Sequence, residues 1–361
     1  MSIVKSSTAR RRLKVEPLEQ RIVFAGNVDV MMAGMTHLSI QGDTDDNVIS
    51  VEEIAPNVVK VTGYAGTTIN GGTTPVITSA PLIDMVFARM NDGDDIIKVA
   101  NLTLDDNQNG QLYIEGGAGE DRVKVYNVQA RRSITVDTGE NDDTVQSYLT
   151  ATRYHEISLG NGEDDMSIEQ FTAGYLKLTS LEGDDYMFAR NGMVYVDIVV
   201  ASGSENDTIL LRDLQVNRDL NVETYFGDDR VKAKNLEIGR SMVVMTDAGN
   251  DLVTVRQSQI GSSLKMDTGL GNDGVRLRDL DAGSVGMNTG AGDDGVHLLN
   301  VAATSLLHVF QGDGEDRLFV KYCSSASPEF DGGAGQDMFY IKPNFFASLS
   351  VFYASSYEIL M

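Results

Sequence analysis

The sequence predicts an all-β protein folded as a parallel β-helix, a solenoid of about 12 to 13 coils with a repeat of roughly 22 residues. Three observations lead to this prediction. A turn rich in glycine and acid recurs at nearly constant spacing, a stretch of alternating apolar and polar residues follows each turn, and an Asn or Asp often closes that stretch. Together they describe one short strand-and-turn unit repeated along the chain.

The recurring turn marks each coil. It is exemplified by "TGAGDDGVHLLN" at 289–300 and "GGAGEDRVKVYN" at 116–127. Successive anchors, the last acid of each turn, are separated by 20 to 26 residues and most often by 22. A period of this length with little drift indicates stacked coils rather than independent domains. The anchors are Asp95, Asp121, Asp143, Asp165, Asp185, Asp207, Asp229, Asp251, Asp273, Asp294, Asp316 and Asp337.

Strand segments follow each anchor with a period of two. The second and fourth residues after the anchor are apolar, as in Val253 and Val255, which indicates a half-buried strand. The sixth residue is often Asn or Asp, which predicts a bend in the left-handed backbone region. A second segment ends in Thr or Ser five residues before the next anchor. Because equivalent residues stack about 4.8 Å apart in such a rod, the Asn and Thr columns are expected to form hydrogen-bonded ladders.

Residues 1–30 are predicted to form a separate sorting or export segment without regular structure. Their only apolar core, "IVFA", is too short for a standard secretory signal. The segment resembles the LEPR-type head of exported proteins of planctomycete-like bacteria, although Gln20 replaces the usual proline. This resemblance implies export or surface sorting, and a disordered basic tail is the alternative. The matching residues are Arg11, Arg12, Glu16, Leu18, Glu19 and Arg21.

The remainder of the chain is predicted to be one repeat domain with a cap. The β-helix is expected over 31–340, with irregular first coils at 31–90. Residues 341–361 are apolar and aromatic and are expected to cover the last core layer, since a solenoid needs a capped end. A C-terminal secretion signal is the alternative for this tail.

Charge and composition restrict the partners. The chain carries 53 Asp and Glu against 29 Lys and Arg, a formal net charge of −24. This charge disfavours nucleic acid or an anionic membrane as the main partner and favours cations. One cysteine excludes an internal disulfide framework, and no run of 18 apolar residues is present to span a bilayer as a helix.

Two turns resemble the calcium-binding repeat of the RTX family, whose unit is G-G-x-G-x-D followed by a hydrophobic strand. They are "GGAGEDRVKV" at 116–125 and "GGAGQDMFYI" at 332–341. Other turns, such as "LEGDDYMF", lack a glycine, and the family repeats every nine residues where this chain has one turn per coil. The resemblance implies calcium-dependent folding after export.

Physical chemistry also predicts calcium at the twelve anchors. Carboxylates stacked about 4.8 Å apart repel by roughly 1 kcal/mol per pair in water. A Ca²⁺ ion between two coils can bind a carboxylate from each, and carbonyls of the glycine turn can complete its six to eight oxygen ligands. The alternative is a solvated acidic edge that keeps the rod soluble. The recurrent glycine favours calcium, because solvation alone does not require it.

A column of cations occupies the fifth position after the anchor. It consists of Arg190, Arg212, Lys234, Arg256 and Arg278. The position is odd, so these side chains should point outward, with Lys232 and Arg276 on the same face. Two interpretations stay open. The column is either paired internally with Asp213 and Asp279, or it docks a sulfated or uronic polysaccharide.

Repetition argues for a scaffold rather than an enzyme, since an active site occurs once. The four histidines, His37, His155, His297 and His308, are not at metal-ligand spacing, and no nucleophile–base constellation is readable. The sequence therefore predicts a secreted or cell-surface calcium-binding repeat protein with a structural or adhesive role. Its expected partners are calcium and either an anionic polysaccharide or other surface proteins, and no nucleic-acid partner is expected. Because parallel β-helices also include polysaccharide lyases and hydrolases, such an enzyme is the alternative function.

Overall fold

The computed structural model describes residues 26–104 and 109–342 in full, and 345–346 and 357–360 as backbone. These residues form strands and turns without a helix. The strands are β1 (Asn27–Ala33), β2 (His37–Gln41), β3 (Val48–Ala55), β4 (Val58–Gly63), β5 (Thr68–Ile69), β6 (Val76–Ser79), β7 (Met85–Asp92), β8 (Ile96–Leu104), β9 (Gln111–Ala118), β10 (Arg122–Glu140), β11 (Thr144–Asn161), β12 (Asp165–Thr179), β13 (Tyr186–Val194), β14 (Ile198–Ala201), β15 (Thr208–Val216), β16 (Leu220–Glu223), β17 (Arg230–Ile238), β18 (Ser241–Met245), β19 (Leu252–Asp267), β20 (Gly274–Asn288), β21 (Gly295–Phe310), β22 (Arg317–Lys321), β23 (Ser324–Asp331), β24 (Asp337–Ile341), β25 (Phe345–Phe346) and β26 (Tyr357–Leu360).

Parallel pairing between successive coils confirms the predicted β-solenoid. β15 pairs with β17, β17 with β19, and β19 with β20, all in parallel. The register places residues of equal position in each coil directly opposite one another, as in Val231 against Val253 and Val253 against Val275. Each coil therefore repeats the hydrogen bonding of the coil before it.

The interior of the solenoid is lined by the apolar positions that the period of two predicts. Val253 and Val255 are completely buried, whereas Thr254 between them faces outward and is half-buried. The same alternation runs through the coils and forms one continuous hydrophobic core. Neighbouring odd positions therefore build the outer face.

The sixth position after the anchor is a left-handed bend, as predicted. Most of these residues are Asn, Asp or Gln, which tolerate this conformation. Amide side chains bridge some of the bends: Asn127 Nδ2 donates to Asn101 Oδ1 at 2.9 Å, and Asn300 Nδ2 donates to Asp279 Oδ1 at 2.8 Å. The residues with positive φ at this position are Asn101, Asn127, Leu149, Gln170, Asn191, Asp213, Asn235, Gln257, Asp279, Asn300 and Tyr322.

The Thr and Ser column forms a different ladder from the one expected. Thr268 Oγ1 donates to the carbonyl of Thr289 at 3.2 Å, and Ser180 Oγ donates to the carbonyl of Ser202 at 2.8 Å. The hydroxyls thus bind the backbone of the next coil rather than each other. The reason is geometric, because the backbone carbonyl at this position has no strand partner and is the nearest free acceptor.

Antiparallel pairs interrupt the regular stacking near the start of the described chain. β1 pairs with β2, and β4 pairs with both β3 and β6, in antiparallel orientation. β3 then joins the solenoid through parallel pairing with β8.

The predicted sorting segment falls almost entirely in residues 1–25, which lie outside the described residues, as does most of the predicted C-terminal cap. No helix in the described ranges is long and apolar enough to cross a membrane.

Leu149 offers a test of the bend column. It has a φ of 53° and is 40 % exposed, so a branched apolar residue holds a conformation that Asn adopts more readily. We expect Leu149→Asn to stabilise the protein by about 1 kcal/mol. Thermal unfolding followed by circular dichroism measures the effect. The reverse change at an equivalent bend, Asn191→Leu, should destabilise, and equal melting of both variants would contradict the strain argument.

Candidate functional site

One aspartate of each glycine–aspartate turn lies at an interior corner of the solenoid. Each of these buried aspartates is at most 3 % exposed. The buried strand residues follow it at the second and fourth positions, so its side chain points to the same inner side of the chain. The predicted anchors therefore do not form a solvated edge. The buried column consists of Asp95, Asp121, Asp143, Asp164, Asp185, Asp207, Asp229, Asp251, Asp273, Asp294, Asp316 and Asp337.

Asp165 does not belong to this column. Its side chain is exposed at the first residue of β12, and Asp164 occupies the buried place. The turn "GEDDM" contains two adjacent aspartates, and choosing the last acid selects the wrong one. The apolar residues Met166 and Ile168 fix the phase, since both are buried and lie an even number of residues from Asp164.

One oxygen of each column carboxylate binds the backbone of the preceding coil. The amide of Asp207 donates to Asp229 Oδ1 at 2.8 Å, and the amide of Asp229 donates to Asp251 Oδ1 at 2.8 Å. The same bond joins every successive pair of the column at 2.7 to 3.0 Å. We call this series of bonds the inner ladder. It satisfies turn amides that the strand pairing leaves without a partner.

Where the residue before the column aspartate is Asp or Asn, its side chain forms a second, exposed ladder of opposite direction. Here the side chain accepts from the following coil: Asp228 Oδ1 from the amide of Asn250 at 2.7 Å, and Asn250 Oδ1 from the amide of Asn272 at 3.0 Å. We call it the outer ladder. An Asp or Asn followed by the column aspartate therefore ties the turn to both neighbouring coils, which explains why polar residues stand side by side there. The sequence carries a signal for this ladder in the recurrent Asp or Asn before the column aspartate.

The turn glycines are explained by the closeness of the coils. A Cβ added to Gly249 would lie 1.7 Å from the carbonyl oxygen of Gly227, and one added to Gly227 would lie 1.8 Å from that of Glu205. Gly249 also has a φ of 149°. A second glycine column, exemplified by Gly290 against Gly269, has the same contact at 1.7 Å. Close stacking therefore favours glycine at both positions, although residues such as Glu205 and Tyr225 occupy them in some coils with positive φ, and the recurrence of glycine is not by itself a signal for metal.

The second carboxylate oxygen of each column aspartate is buried and has no hydrogen-bond partner among the described residues. An ionised oxygen in that setting carries a large desolvation cost. Burial accordingly raises the pKa of the eleven column carboxyls from Asp95 to Asp316, against the backbone amides and, in several coils, the Ser or Thr hydroxyls that lower it. The pKa is raised to about 8 for Asp95, Asp143 and Asp207, and to about 7 for Asp121, Asp185, Asp251 and Asp294.

The donor set of the column suits a hard cation. Each coil contributes one unpartnered Oδ2, and Ser or Thr hydroxyls lie beside several of these carboxylates, such as Ser180 beside Asp185 and Thr246 beside Asp251. Oxygen donors of this kind are those that Ca²⁺ prefers. Within the described ranges no group of three or more His, Cys, Asp or Glu side chains converges as a metal cluster. Any ion here would therefore bind between coils and draw on backbone or hydroxyl oxygens.

The histidines lie away from this column. His155 is fully buried in the core, 3.5 Å from Ser147 Oγ, and burial lowers its pKa to about 3. His37 lies 3.5 Å from Asp84. They occupy separate environments and do not converge on one site.

The cations at both ends of the outer column have carboxylate partners, whereas the two in its middle have none among the described residues. Arg190 binds Glu169, Arg212 binds Asp213 at 3.1 Å, and Arg278 binds Asp279 at 3.2 Å. For Lys234 and Arg256, the part of the chain that the structure describes places no carboxylate within 4.0 Å. The internal pairing anticipated with Asp213 and Asp279 thus involves two of the five cations.

Comparison with known proteins adds one solved structure. No protein-family model and no curated protein matches the sequence. A solved structure with a similar arrangement is described as an X-ray crystal structure of a hyperactive, Ca2+-dependent, beta-helical antifreeze protein from an Antarctic bacterium. The match has 18 % sequence identity and a TM-score of 0.40, and it covers 71 % of this chain and 80 % of that chain. The fold assignment rests on the strand pairing of this chain and not on that likeness.

Proposed function

We propose that this protein is a calcium-binding β-solenoid rod with a structural or adhesive role at the cell surface or outside the cell. The observation that supports the proposal is the column of buried Oδ2 atoms, repeated on every regular coil and left without partners. A single such atom is a local irregularity. A continuous column of them points to a common occupant, because each unpaired buried charge is costly.

Two occupants satisfy these oxygens: a proton on each carboxyl, or a divalent cation shared between coils. The raised pKa values show that protons compete strongly below neutral pH. At the neutral to alkaline pH and high calcium of extracellular fluids, a cation is the better partner, since extracellular calcium modules bind at about 0.1 to 1 mM. When bound, calcium neutralises the carboxylates and crosslinks the coils. The residues that would hold it are the column aspartates.

Repetition supports a structural role rather than catalysis. The buried column, both ladders and the strand register recur from coil to coil with little change. A rod of this kind presents long, regular faces, which suits adhesion or docking of an anionic polysaccharide. Export rests on the resemblance of residues 1–30 to the LEPR-type segment.

The decisive experiment is calcium titration of the wild type and of Asp229→Asn/Asp251→Asn. In each Asn, Oδ1 can still accept the inner-ladder bond, but an amide replaces the Oδ2 ligand. The wild type should bind calcium in calorimetry and melt at a higher temperature with it. The double variant should bind fewer calcium ions, and calcium should raise its melting temperature less than that of the wild type.

Asp228→Asn is the matched control for this titration. It removes one acid from the outer ladder, where Asn206 and Asn250 already occupy equivalent positions and make the same bond. It should behave as the wild type does. Identical melting of the wild type in calcium and in chelator, without heat of binding, would exclude a calcium role.

A further inference from the structure

The open part of the outer cationic face surrounds a notch at Thr254. Strand register places Lys232, Thr254 and Arg276 in one column on three consecutive coils. The neighbouring column carries Lys234 and Arg256 on the first two of these coils. Because Thr254 is short, Lys232, Arg256 and Arg276 border a gap beside it, and Lys234 lies next to Arg256 in the neighbouring column.

These four cations lack acidic partners within the described residues. None of Lys232, Lys234, Arg256 and Arg276 has a carboxylate within 4.0 Å. The contrast with Arg190 and Arg212 on the same face is sharp, since both of those have an acid partner. In a chain of net charge −24, the concentration of four such cations on two adjacent columns creates a local positive patch.

The gap is a defined concavity with partly apolar walls. A cavity of about 320 Å³ is lined by Lys232, Thr254, Arg256, Arg276 and Arg278, with Leu252, Leu277 and Leu299 at its sides. Gly274 leaves space beside Leu252, because a Cβ there would meet the Leu252 side chain at 3.1 Å and the Asp251 carbonyl oxygen at 3.7 Å. Apolar walls exclude water and strengthen charge interactions. At its edge, burial and the charge of Arg276 lower the pKa of His297.

We infer that the notch around Thr254 binds a tetrahedral oxyanion, a sulfate or phosphate group borne by a short ligand such as a sulfated sugar. The Arg256 and Arg276 guanidinium groups provide forked donors that match such an anion, the Lys232 ammonium in the wall and the Lys234 ammonium nearby add charge, and Thr254 offers a hydroxyl donor. This inference rests on the proposed docking role and narrows its ligand from an anionic polysaccharide to a short molecule that bears one such group.

The ligand is expected to be short rather than an extended polyanion. The open cations span only three coils, or about 10 Å along the rod. Asp213 and Asp279 stand at the two ends of this stretch and already hold Arg212 and Arg278. Additional anionic groups would meet these acids and the negative charge of the whole chain.

The test is isothermal titration of the whole chain at low ionic strength with inorganic sulfate, inorganic phosphate, glucose 6-sulfate and glucuronate. We expect binding of the tetrahedral anions, weaker binding of glucuronate, and at least a tenfold loss in Arg256→Gln/Arg276→Gln. Tighter binding of glucose 6-sulfate than of sulfate identifies a sugar-borne group, and equal binding identifies the free anion.

Lys98→Gln/Lys124→Gln is the matched control, because it removes two exposed cations from the same column of distant coils. It should bind the anions as the wild type does. Unchanged binding by Arg256→Gln/Arg276→Gln, equal losses in both double variants, or tighter binding of a DNA oligonucleotide would overturn the inference. Calcium stabilisation of Arg256→Gln/Arg276→Gln should equal that of the wild type, so failure of this site is distinguishable from failure of the calcium column.

Discussion

Freed of divalent cations by chelation, the protein is expected to lose stability steeply as the pH rises from about 5 to about 8. Burial raises the pKa of the column carboxyls from Asp95 to Asp316, to values between about 6 and about 8 for nine of them, against 3.8 for the unperturbed group. Between these values the folded state holds more protons than the unfolded state, so raising the pH favours unfolding. The effect is large because eleven stacked groups share it. Thermal unfolding by circular dichroism at several pH values measures it.

Calcium should reverse this loss at pH about 8, where the carboxyls are ionised, and should add little at pH about 5, where protons occupy them. Asp229→Asn/Asp251→Asn serves as the internal control, since two permanently neutral amides replace titrating groups. In chelator at pH about 8 this variant should melt above the wild type. A melting temperature of the chelated wild type that stays constant over this pH range would contradict the burial argument.

The second large effect is expected from Gly249→Ala. The new Cβ would overlap the carbonyl oxygen of Gly227, 1.7 Å away, and the φ of 149° is one that alanine rarely adopts. Backbone cannot yield as a flexible side chain can, so we expect a loss of about 3 kcal/mol or more in the free energy of unfolding. Urea unfolding followed by circular dichroism measures it.

Gly286→Ala provides the matched control for that substitution. Gly286 lies in β20, has no positive φ, and has no atom within 4 Å of an added Cβ. It should be neutral or stabilise by about 0.5 to 1 kcal/mol, because alanine loses less backbone entropy on folding. Similar destabilisation by the two substitutions would show that close contact between coils does not explain the turn glycines.

The sequence by itself determined the repeat, the strand phase and the bends. These features are local and recur many times, so chance departures in one coil, such as Leu149 at a bend, do not obscure the pattern. The period of two after each turn established that Val253 and Val255 face inward and Thr254 outward. The choice of the last acid in each turn also selected eleven of the twelve aspartates of the buried column.

The tertiary structure alone decided what the repeated residues do. The last-acid rule missed Asp164 because it ignores the strand phase set by Met166 and Ile168, and the buried side chain of Asp164 decided between the two adjacent aspartates. The opposed hydrogen bonds of the two ladders, and the contact of Gly249 with Gly227, join residues of different coils. Likewise, Arg212 is paired and Arg256 is open although both occupy the fifth position. Such differences depend on which atoms of neighbouring coils meet, and a period along one chain cannot specify those contacts.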